Sequence, residues 1–152
     1  MTDVGELGER IIARWLESRG YQIWHHRWHC RWGEIDLIAQ EQLTTSLVFV
    51  EVKTRSFNNW DANGILSINP RKQQKLWQTA ELFLAQNPTL ASLPCRFDIA
   101  LVSYFLIKNT SPRYFSNHSS QQLSIDKPVF EENGYQFIIQ DYLKSAFDSS
   151  QF

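Results

Sequence analysis

Asp36, Glu51 and Lys53 interrupt two otherwise apolar, β-branched runs, Gly33 to Ala39 and Leu47 to Arg55. A charge in a strand that is to be buried costs free energy unless it is paired or bound to a metal. Two carboxylates from neighbouring strands can hold a hard divalent cation such as Mg²⁺ and leave positions for water and for a phosphate oxygen. A lysine two residues beyond one of them points to the same face. It can orient or deprotonate an attacking water, or balance charge in the transition state. These are the requirements of phosphodiester hydrolysis. The competing reading is structural: Lys53 neutralises Asp36 and Glu51, and no chemistry follows. An Asp followed at a distance by Glu-x-Lys is common, so the weight rests on its apolar strand setting.

The elements that must position these groups are legible around them. Residues 33–39 and 47–55 read as strands. The polar turn at 40–46 predicts an antiparallel hairpin. Strict alternation puts Glu34, Asp36 and Ile38 on one face of the first strand, and Phe49, Glu51 and Lys53 on one face of the second. The three charges can then converge where the strands part, with the Val52 carbonyl as a further metal ligand. Upstream, Val4, Leu7, Ile11 and Trp15 recur at helical spacing and predict a helix over 4–19, capped by Thr2 or Asp3 and ended by Gly20. Glu9 sits on the flank of that stripe. It is either a solvated surface residue or a further carboxylate for the metal, direct or through water.

Tyr21 to Trp28 predicts a strand with Tyr21, Ile23 and His25 on one face and Gln22, Trp24 and His26 on the other. His25, His26, His29 and Cys30 crowd together, which suggests zinc. A structural zinc site needs about four ligands, and neighbouring strand residues point to opposite faces. Polar strand-end residues or phosphate contacts are therefore the expectation. Residues 56–68 read as a loop, and Asn69-Pro70 opens a second helix that ends at Asn87-Pro88. Its buried stripe is Leu76, Ala80, Phe83 and Leu84. Lys72, Lys75 and Thr79 share another face. Arg71, Lys72 and Lys75 in the first turns oppose the helix dipole and become useful where a phosphate docks. With Arg55 they are the candidate nucleic-acid-binding residues. Arg96 to Phe105 predicts a buried strand in which Asp98 pairs with Arg96 or another arginine. Residues 108–134 predict a long surface excursion, Tyr135 to Gln140 a last strand and Tyr142 to Phe147 a short closing helix.

The 152 residues suit one domain, 1–152, with no internal repeat and no linker. A hydrophobic fraction of 43% and a charged fraction of 20% speak against general disorder. Net charge is -1, but its distribution is uneven. Residues 10–31 carry Arg10, Arg14, Arg19, Arg27 and Arg31 against Glu17 alone, and the chain from Asp126 onward is acidic. Such asymmetry fits one anion-facing side or ordinary surface charge. Two cysteines without CxxC spacing, no signal-like start and no long apolar run point to a soluble protein of the reducing cytoplasm.

Gly8-Glu9, Gly20-Tyr21, Gly33-Glu34-Ile35-Asp36-Leu37-Ile38-Ala39, Val48-Phe49-Val50-Glu51-Val52-Lys53-Thr54-Arg55, Lys72, Lys75-Leu76 and Arg96-Phe97-Asp98 together resemble the YraN family of bacterial proteins. The likeness covers about residues 5–103 and extends to the Ile138 to Phe147 end. It implies an α/β, restriction-endonuclease-like three-layer fold, a mixed central sheet flanked by helices, similar to archaeal Holliday-junction resolvases. In that wider group a helix Glu, a strand Asp and a Glu-x-Lys pair bind Mg²⁺ and cleave nucleic acid, and Glu9, Asp36, Glu51 and Lys53 match those positions. Ile35 precedes Asp36 where many nucleases have Pro, and the 108–134 stretch is longer than the family pattern. The expectation is a Mg²⁺-dependent (or Mn²⁺-dependent) nuclease acting on DNA, with branched or damaged DNA as candidate substrates. The alternatives are a nucleic-acid-binding protein without turnover and a protein-interaction subunit using exposed aromatics such as Trp60 and Trp77. Resolvase resemblance also suggests a homodimer.

Overall fold

The computed structural model describes residues 3–57, 68–107 and 127–147. Helix α1 spans Val4–Ser18 and α2 spans Pro70–Gln86; strands are β1 Tyr21–Cys30, β2 Gly33–Glu41, β3 Leu47–Ser56, β4 Cys95–Leu106, β5 Val129–Glu132 and β6 Tyr135–Phe147. The strands form one mixed sheet in the order β1-β2-β3-β4-β6-β5. Among the described strands only β3 and β4 pair in parallel, Leu47 with Cys95 through Ser56 with Tyr104. Helix α2 is the crossover between them, as a parallel pair requires.

Both helices start as their sequences dictate. The Asp3 side chain accepts from Gly5 N at 3.1 Å, and the Asn69 side chain accepts from Lys72 N at 2.9 Å, with Pro70 in the first position. Leu7, Ile11, Ile12 and Leu16 of α1 bury against Leu37, Val48, Val50 and Val102 on one face of the sheet. Leu76, Ala80 and Phe83 of α2 bury against Ile35, Ile38, Phe49 and Phe97 on the other. The result is three layers, helix on sheet on helix. Each fully buried aliphatic or Phe side chain contributes about 1.5–3 kcal/mol, so the two faces hold the sheet from both sides.

Several expectations are corrected. Residues 142–147 continue β6 and form no closing helix, because β4 offers them a pairing edge and Asp98 captures two of their donors. Residues 129–132, placed in the surface excursion, form β5 and pair with β6; the rest of that excursion through residue 126, and most of the 56–68 loop, lie outside the described residues. In β1 a register shift between Ile23 and His25 moves His25 to the α2 side, edge-on to Phe83 at 5.4 Å, away from Tyr21 and Ile23.

Gly8 sets how closely α1 approaches the sheet. A Cβ there would lie 2.1 Å from Thr54 Oγ1. Gly8→Ala is therefore expected to destabilise the chain by about 1–2 kcal/mol, overpacking outweighing the gain in helix propensity. Adding Thr54→Ala should restore it in urea unfolding; a Gly8→Ala variant as stable as the parent contradicts the packing argument.

Candidate functional site

The β2–β3 ladder runs from Gln40–Leu47 to Leu37–Val50 and stops there. Beyond it, Asp36 Oδ2 accepts the Val52 N–H at 2.8 Å. Asp36 thus fills the gap between the diverging strands. Strict alternation fails at this residue, since Ile35 and Ile38 both belong to the α2 side and Leu37 to the α1 side. Across β1 the position facing Asp36 is Arg27, whose φ of 50° lies in the left-handed region. The shared-face expectation for Glu34, Asp36 and Ile38 is therefore corrected: Asp36 lies between the layers.

That position lets it meet carboxylates from both sides. From the α1 layer comes Glu9, buried at 8% exposure and bound by Arg27 Nε at 2.7 Å. The solvated alternative for Glu9 does not hold. The Asp36 and Glu9 carboxyls are close enough for each to act on the other's titration. On the α2 side, Glu51 continues the face of Phe49, and Lys72 Nζ reaches Glu51 Oε1 at 2.6 Å. Burial, then the charges of Glu51 and Glu9, push the Asp36 carboxyl up to about 8, against the pull of the Val52 N–H. Burial also raises Glu9, partly offset by Arg27. Burial and the charges of Lys72 and Arg55 push the Lys53 ammonium below its ordinary value, and Glu51 opposes them.

Glu9, Asp36, Glu51 and Lys53 thus form a succession of neighbours through the sheet. Among the described residues, no three His, Cys, Asp or Glu side chains are grouped so as to hold a metal ion. That statement covers His25, His26, His29 and Cys30 as well. Two carboxylates with water are nonetheless a normal Mg²⁺ site, and the excess negative charge around Asp36 suits a cation. Arg71, Lys72 and Lys75 are exposed on α2, and Arg55 is exposed with Nη1 on the Thr54 carbonyl at 3.0 Å. Arg27 is the participant that sequence reasoning missed. It lies 18 positions from Glu9, with a strand bend that no local pattern signals. The Lys72 contact with Glu51 was likewise not foreseen, although both residues were singled out.

A mixed six-stranded sheet between two helices, with Asp36 set where its inner strands part, defines a three-layer α/β protein. The chain belongs to the uncharacterised protein family UPF0102, whose profile matches residues 8–102. This is the YraN family of the sequence resemblance. A UPF0102 protein of Acaryochloris marina is 46% identical over 154 residues, covering 95% of this chain and 89% of the relative. One of Synechocystis is 41% identical over 151 residues, covering 97% and 99%. One of Trichodesmium erythraeum is 41% identical over 167 residues, covering 95% and 88%. The matched span runs from Gly8 within α1 to Val102 in β4 and includes every candidate site residue.

Proposed function

We propose that the chain is a Mg²⁺-dependent nuclease, with Mn²⁺ as a substitute, that hydrolyses phosphodiester bonds in DNA. The observation that carries this reading is Asp36 in the strand gap, flanked by Glu9 and Glu51 and followed by Lys53. Asp36 and Glu51 would hold the cation, with Glu9 assisting. When bound, the cation would polarise the phosphate and acidify a water. Lys53, with its amine lowered by burial, is suited to orient that water or take its proton. Arg55, Arg71, Lys72 and Lys75 would hold phosphates beside the cleavage point. Val52 contributes by fixing Asp36 through its N–H. No helix among the described residues is long and apolar enough to cross a membrane, and a DNA substrate would be met in the cytoplasm. A homodimer belongs to this reading for branched substrates, which offer paired cleavage points.

The test is a cleavage screen over single-stranded, duplex, flap and four-way DNA in Mg²⁺ or Mn²⁺. The parent is expected to cut at least one form. Asp36→Asn is expected to cut none while retaining its circular dichroism spectrum. Equal cleavage by the variant, or no cleavage by the parent, removes the reading. Binding without turnover is the second reading. The Lys72–Glu51 and Arg27–Glu9 pairs favour it, since the protein's own cations balance two of the carboxylates. It predicts DNA binding that falls steeply with salt and no cut in any metal.

A further inference from the structure

The β1–β2 hairpin carries a second feature that the carboxylate cluster leaves unused. From Ser18 to Gly33 the chain holds Arg19, Arg27 and Arg31, three histidines and three tryptophans, and no Asp or Glu. Trp28 packs into the core, edge-on to Phe83 at 5.3 Å. Trp32 does not. It sits in the turn between the paired residues Cys30 and Gly33 and is 41% exposed. The Arg31 guanidinium lies 4.7 Å from its ring centroid. An open indole at a hairpin tip forgoes burial that a ring of this size would otherwise contribute.

The tip lies against α2. A Cβ at Gly33 would be 3.5 Å from Thr79 Oγ1, and Thr79 shares a helix face with Lys75 and Lys72. Lys72 in turn touches Glu51. One stripe of the helix therefore leads from Lys72, beside Glu51, past Lys75 to Thr79, which lies against the residue that follows Trp32, over about 10 Å of helix axis. Lys72 and Lys75 suit phosphates, and a π surface backed by arginine suits a base. Bases inside a duplex stack on one another and are closed to side chains, whereas an unpaired base is open to them.

Resting on the nucleic-acid reading above, we propose that Trp32 and Arg31 form a stacking platform for an unpaired nucleobase, reached along Lys75 and Lys72. The preferred ligand is then a single strand or flap, and an uninterrupted duplex is disfavoured. The test is equilibrium binding in EDTA, where turnover plays no part. The probe is a short fluorescein-labelled oligo-dT, and the competitor is a relaxed closed circular duplex. Trp32→Ala is expected to weaken oligo-dT binding about tenfold and to leave competition by the circle unchanged. Trp32→Phe keeps most of the affinity. The proposal is overturned if Trp32→Ala binds like the parent, if the alanine and phenylalanine variants lose equally, or if the circle competes as well as unlabelled oligo-dT. Trp32-dependent binding by a chain that cuts nothing retains the platform and removes the nuclease reading. Asp36-dependent cleavage with no Trp32 effect does the reverse.

Discussion

Replacing Asp98 with asparagine is expected to cost about 3 kcal/mol of folding stability, the scale for breaking a buried ion pair. Asp98 is fully buried in β4. Its carboxylate accepts from Arg96 Nε at 3.0 Å, the Tyr142 hydroxyl at 2.7 Å and the Ser145 N–H at 2.9 Å. Arg96 also donates to Glu41 Oε2 at 2.8 Å and to the Tyr21 hydroxyl at 2.9 Å. One carboxylate and one guanidinium thus tie β1, β2, β4 and β6 together. The register of β4 and β6 jumps here, from Phe97–Phe147 to Ile99–Leu143, and Ser145 has a φ of 51°. The Asp98 carboxylate takes up the donor that this bulge frees from the ladder. An asparagine turns an amide donor toward donors it cannot serve and leaves Arg96 one anion short. Tyr142→Phe removes a single hydrogen bond and is expected to cost about 1 kcal/mol. Urea unfolding with unchanged slope reads both. An Asp98→Asn loss no larger than that of Tyr142→Phe would deny the network its central role.

The opposite sign is expected at Asp36. In EDTA at pH 8, Asp36→Asn should be more stable than the parent, with the advantage fading as pH falls to 4. The folded carboxyl titrates at about 8 against an ordinary value of 3.8, through burial first and then the Glu51 charge. Between those values the folded chain keeps a proton that the unfolded chain has released. Stability therefore falls as pH rises through the window, by at most about 1.4 kcal/mol per pH unit. Asparagine resembles the protonated acid: its oxygen can still accept from Val52, and it carries no charge to be repelled by Glu51 and Glu9. It removes the titration. Unfolding midpoints at pH 4, 6 and 8 decide the matter, and parallel pH curves for parent and variant would refute it. Mg²⁺ at pH 8 should then raise the parent's midpoint and leave the variant's where it is. Stability surrendered at a buried carboxylate is what a site kept for binding or chemistry looks like.

The sequence carried the elements and the alignment of charges better than it carried their bends. Helical spacing found α1 and α2 because each has a single apolar stripe and a capping residue. Alternation found the Glu51–Lys53 face because β3 stays in unbroken register with β4 through those residues. It misplaced Asp36 and His25 because each lies at an irregularity: the end of the β2–β3 ladder and the shift at Trp24. Such breaks are decided by distant partners, here Val52 and Phe83. Residues 142–147 misled for the same reason. Their composition suits a helix, and only the edge of β4 with the Asp98 acceptor makes them a strand. Arg27 was invisible as a partner of Glu9 because the two meet only after α1 has docked on the sheet.

The outer margin of β1 bears on how copies of this chain behave at high concentration. A long, flat outer strand offers free N–H and C=O groups and invites another molecule to extend the sheet. Here the outermost strand is kinked at Trp24, turned left-handed at Arg27 and lined with cationic and imidazole side chains. A left-handed residue alone costs about 1–2 kcal/mol. At the other margin β5 spans four residues, too few to template much pairing. Among the described strands, neither border is a good seed for edge-to-edge sheet growth.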